Sequence, residues 1–105
     1  MLDIQEMSEE SFTNMLNAAA AKRPNFPIHL VKRGSWTIRI IPNHPGRESI
    51  TYLFSDQYAF ISVVAGSEGV RIIESLLETS KHGADIVIQL RKMMEHPQEP
   101  QDQDK

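Results

Sequence analysis

The groups in this 105-residue chain that could do covalent or acid–base chemistry are four histidines, a scatter of serines and the carboxylates. His29, His44, His82 and His96 are too widely spaced for any two to ligate a metal from one element, and there is no cysteine to assist them. The lack of Cys also excludes disulfides and thiolate nucleophiles. His44 lies between Asn43 and Pro45 and reads as a solvated loop residue, while His82 beside Lys81 reads as compensation of a helix dipole at its C-terminus. "GSEG", residues 66–69, lacks both the Gly-x-Ser-x-Gly spacing of a nucleophile elbow and the Lys-Ser/Thr of a phosphate loop. Ser67 is better explained as a helix cap. Glu74 and Glu78 share one side of a helix and could bind a cation or act as an acid–base couple. With no histidine or polar loop beside them in sequence, they read as a solvated face. The expectation is therefore a non-enzymatic protein with no catalytic residue, no metal and no cofactor.

Charge is the feature that departs from an average chain. The net charge is −3, yet residues 1–21 carry −4, residues 22–47 carry +6 and residues 48–105 carry −5. The basic stretch "KRGSWTIRIIPNHPGR" supplies Lys32, Arg33, Arg39 and Arg47 around Trp36, without a single acid. These five residues are the candidate contacts to a partner. Bases interleaved with an aromatic suit phosphates and a stacked base, which makes single-stranded nucleic acid one possible ligand of hairpin 28–47. The same bases suit an acidic protein surface, the chain's own or a partner's. No RNP-type or helix-turn-helix pattern is present, and the sequence pI of about 5.7 is low for a nucleic-acid binder.

The elements that would position these residues follow from periodicity and punctuation. Ser8 can cap a helix whose Phe12, Met15, Leu16 and Ala19 fall on one face and which Pro24 stops. "IHLVKR" and "SWTIRII" flank Gly34-Ser35, a two-residue hairpin turn. "PNHPG" breaks the chain, and "ESITYLF" and "YAFISVVA" make a second hairpin. A second helix is expected from Ser67, with Val70, Ile73, Leu76 and Leu77 on one face and Gly83 ending it in a left-handed conformation. "ADIVIQLRKMMEH" reads as a third helix, although Ile86, Val87 and Ile88 also favour a strand.

The expected fold is α+β: an N-terminal helix, a four-stranded antiparallel β-meander, and one or two C-terminal helices packed on the sheet. Residues 1–96 form the single domain, and 97–105 an acidic disordered tail.

Register can be argued from turn length. A two-residue turn sets Arg33 opposite Trp36, Val31 opposite Ile38 and His29 opposite Ile40, with Lys32 and Arg39 on the other face. Arg33 could then stack on Trp36. A three-residue loop in the second hairpin would set Phe54 opposite Tyr58 and Tyr52 opposite Phe60, gathering four aromatics on one face.

The apolar arc of the last helix looks too wide for one contact, so Ile86, Leu90, Met93 and Met94 are the candidate oligomer interface. No signal-peptide pattern is present, and the longest uncharged apolar run is too short to span a bilayer as a helix. The function expected is that of a small cytoplasmic regulator or adaptor that binds protein partners and forms a homodimer, with no membrane association.

Overall fold

The computed structural model describes residues 2–22, 28–42 and 49–95. It contains β1 (Leu2–Met7), α1 (Glu9–Lys22), β2 (His29–Arg33), β3 (Trp36–Pro42), β4 (Ile50–Ser55), β5 (Phe60–Ala65), α2 (Ser67–Thr79) and α3 (Gly83–Glu95). The strands form one antiparallel sheet in the order β1-β5-β4-β3-β2. The meander β2 to β5 matches the sequence expectation. The fold has five strands rather than four, because residues before the first helix form β1 and pair with β5. Leu2 and Ile4 alternate with polar neighbours, which is the strand period, but two apolar residues beside three charged or amide ones are a weak signal.

β1 and β2 lie at opposite edges, so α1 crosses one face of the sheet to connect them. Ser8 begins α1 as expected: its Oγ accepts the N–H of Ser11 at 3.1 Å. Phe12 is buried against Phe60, ring centroids 5.2 Å apart, with Ile41 and Leu53 completing the core on this face. The helices α2 and α3 cover the opposite face. There, Ile73, Leu77, Ile86, Val87 and Leu90 pack on Trp36, Ile38, Tyr52, Phe54, Ile61, Val63 and Ala65. This is the larger of the two cores, and it absorbs most of the C-terminal apolar arc.

Three local expectations are corrected. The N-cap of α2 is Gly66, with no side-chain hydrogen bond; Ser67 is already helical. Gly83 does not end α2. That helix stops at Thr79, with the Ser80 N–H returned to the Leu76 carbonyl at 3.0 Å, and Gly83 opens α3. The second hairpin has four residues between its strands, not three. Tyr52 therefore faces Val63, and Phe54 faces Ile61. Phe60 falls on the α1 face and Tyr58 stands exposed in the loop, so the aromatic quartet is split. The reason is Asp56, whose Oδ1 accepts the N–H groups of Tyr58 and Ala59 at 2.7 and 2.8 Å and builds a side-chain-closed turn. The expected tail 97–105 lies outside the described residues.

Candidate functional site

The first hairpin has the register that its turn length implies: Arg33 opposite Trp36, Lys32 opposite Thr37, Val31 opposite Ile38, Leu30 opposite Arg39. Gly34 takes φ +63°, the left-handed conformation that such a turn requires and that glycine adopts without strain. Paired residues share a face, and faces alternate along each strand. Arg39 also faces Leu53, which is buried under α1. Leu30, Lys32, Thr37, Arg39 and Ser55 thus lie together on the α1 side of the sheet, while Arg33 and Trp36 lie on the α2/α3 side.

The helix α1 starts beside the Met7 end of β1 and runs toward the start of β2. That diagonal covers Phe60, Leu53 and Ile41 and leaves two opposite corners of the face less covered. One corner holds an apolar groove of about 260 Å³ between α1 and the sheet, lined by Met15, Ala18, Ala19, Lys22, Ile41, Thr51 and Val64. The other corner is basic. Lys32 is exposed, Arg39 is half-buried and reaches the Ser55 hydroxyl at 3.5 Å, and Leu30 beside them is 55% exposed. Among the described residues the ion pair present is Arg91–Glu6, 3.1 Å, across the molecule from this corner. Neither Lys32 nor Arg39 meets a carboxylate of the described chain, so the acidic helices do not neutralise the hairpin.

The expected contact residues separate into distinct roles. Arg33 turns inward: Nε and Nη2 donate to the Leu77 carbonyl at 3.3 and 3.0 Å, and Nη1 donates to the Lys32 carbonyl at 3.0 Å. It caps the C-terminal turn of α2, where a cation is favoured by the helix dipole. Trp36 lies in the core. Only 7% exposed, it is pressed against Gly83 so closely that a Cβ there would overlap the indole. Arg47 and His44 lie outside the described residues. Of the expected oligomer interface, Ile86 and Leu90 have no solvent exposure and belong to the chain's own core. Met93 is half-buried and Met94 exposed, beside Leu2, Asp3 and Ile4 of β1.

Sequence reasoning passed over two residues. Leu30 matters because it is a large apolar side chain left in water beside two cations, and only the path of α1 reveals that. Tyr52 is fully buried beneath α2, and among the described residues its hydroxyl has no hydrogen-bond partner. Burial, reinforced by the nearby negative charge of Glu74, pushes its phenol up to about 12. The described residues contain no group of three or more His, Cys, Asp or Glu able to hold a metal ion, and no described helix is long and apolar enough to cross a membrane. Comparison of the chain with family models, with curated proteins and with solved structures returned no match.

Proposed function

We propose that this protein is a non-enzymatic adaptor or regulator that binds an acidic, extended segment of a partner protein along β2. The observation that carries this reading is the open corner at Leu30, Lys32 and Arg39. It combines an edge strand, two cations without a carboxylate partner among the described residues, and an exposed leucine. An added strand would hydrogen-bond to the β2 backbone, set its acidic side chains against Lys32 and Arg39, and cover Leu30. The charge would steer encounter, and the apolar contact would contribute to retention.

Single-stranded nucleic acid is the second reading. It is favoured by Tyr58, 83% exposed in the loop at the end of the sheet where Lys32 also lies. It is weakened by the burial of Trp36, which removes the aromatic nearest the bases in sequence.

A titration separates the two. A fluorescent peptide of alternating Glu and Val should bind the wild type, lose affinity as salt rises, and lose it in K32E/R39E. A labelled oligonucleotide at low salt should bind more weakly than the peptide. Tighter oligonucleotide binding that is abolished by Tyr58→Ala would favour the second reading, and no binding of either probe would end both.

A further inference from the structure

The far edge of the sheet is guarded differently. β1 has β5 on one side and no strand of the described residues on the other, which leaves its outer edge open to pairing. Edge strands are commonly blocked by lysine or proline, and β2 carries Lys32 and Arg33; β1, "LDIQEM", has neither block. Its charges are Asp3 on the α1 side and Glu6 on the other side, where Glu6 is paired with Arg91. Beside the strand, Leu2, Asp3, Ile4, Met93 and Met94 line an open groove of about 360 Å³. Met94 is exposed, and Leu2 and Ile4 are only half-buried.

We propose that a second copy of this chain occupies this edge, β1 pairing antiparallel with β1 across a two-fold axis normal to the sheet, with Ile4 opposite Ile4. The choice of occupant rests on charge. A two-fold axis in that direction pairs residues whose numbers add to an even value, since opposed side chains lie on one face. With Ile4 at the centre, Asp3 meets the Gln5 amide of the second copy, and Leu2 meets Glu6. No acid faces an acid. Asp3 against Glu6 needs an odd sum that the symmetry forbids, and the even registers that would repel, Asp3 against Asp3 or Glu6 against Glu6, are displaced from this one. Ile4 meets its counterpart on the α2/α3 face, next to the methionine groove, which the second copy would cover. Head-to-tail pairing of β1 with β2 would also oppose unlike charges. With the helices kept on matching faces it would be parallel and open-ended, and Arg33 and Glu6 already have partners at Leu77 and Arg91. The proposed interface does not involve the β2 corner and stands independently of what binds there.

The test is sedimentation equilibrium on the full chain and on two variants of Gln5, an exposed residue whose replacement leaves both cores intact; circular dichroism checks the fold. The wild type is expected to be a reversible dimer. Q5E sets an acid opposite Asp3 twice per dimer and should raise the dissociation constant about two- to thirtyfold. Q5K sets a base there and should lower it by a similar factor. A wild type that is monomeric at its highest soluble concentration overturns the proposal. So does a mass that grows beyond two chains, which would signal head-to-tail pairing. Weakening by Q5K would overturn the register, because it would place Gln5 opposite itself. Indifference to both variants would remove β1 from the interface.

Discussion

The side chain of Trp36 in β3 lies against the α-carbon of Gly83, the residue that opens α3. Sheet and helix approach here more closely than any side chain would allow, and the contact seats α3 on the core. Gly83→Ala should therefore cost about 1–3 kcal/mol, the range for overpacking a filled site. Urea unfolding followed by Trp36 fluorescence measures it. W36F should not relieve the clash, because phenylalanine keeps the Cβ, Cγ and Cδ1 that the new methyl would meet; W36F/G83A, followed by circular dichroism, should be no more stable than G83A. Iodide should quench the native Trp36 emission poorly.

Arg33 is the other tie between hairpin and helix. Arg33→Ala removes three charge-assisted hydrogen bonds, two of them to the end of α2, and should destabilise by about 1–3 kcal/mol. Arg33→Lys should recover only part of that, because an ammonium cannot reproduce the fork on Leu77. Thermal unfolding of the three proteins gives the ranking. An Ala variant as stable as wild type would show that the cap contributes nothing.

Tyr52 should make the fold sensitive to alkali. The folded phenol ionises near 12 against an ordinary value of 10.0, so the folded state holds its proton over a range in which the unfolded chain releases it. The associated stability is fully present below pH 10 and is lost as pH rises from about 10 to about 12. Tyr52→Phe should remove this component, so that its stability falls less than that of wild type over the same interval. At neutral pH the same substitution should be neutral or stabilising by about 1 kcal/mol, since it deletes a buried hydroxyl without a partner among the described residues. Parallel urea curves at pH 8 and above pH 10 check both statements.

Asp56 holds the second hairpin turn through two short bonds from backbone N–H groups. Asp56→Ala should cost about 1–2 kcal/mol, and Asp56→Asn, whose amide oxygen can still accept, should cost less. Amide exchange at Tyr58 and Ala59 should accelerate in the Ala variant while the centre of β5 keeps its protection.

The parts of this fold legible in the sequence are those set by neighbours in the chain. Gly34-Ser35 is a two-residue turn with a residue able to take positive φ, and that alone places Arg33 opposite Trp36 and separates Arg33 from Lys32 and Arg39. Helical spacing revealed the buried faces of α1 and α2, and the third helix formed despite Ile86-Val87-Ile88, because Ile86 and Val87 both reach the core. The second hairpin misled because its loop is closed by a carboxylate, and one extra residue moved Phe60 to the opposite face.

What the sequence by itself determined is the order of most elements and the register of the basic hairpin, since turn geometry and side-chain period act over a few residues. Only the tertiary structure decided which of those faces is covered. β1 is a strand because β5 offers it a partner some sixty residues away, at Leu2 with Ala65. Trp36, Ile86 and Leu90 are core because Gly83 lets α3 approach the sheet, and Leu30 stays in water because α1 runs diagonally between opposite edges. Burial depends on which distant surfaces meet. The basic stretch thereby resolves into a helix cap, a core tryptophan and an open corner of Lys32 and Arg39.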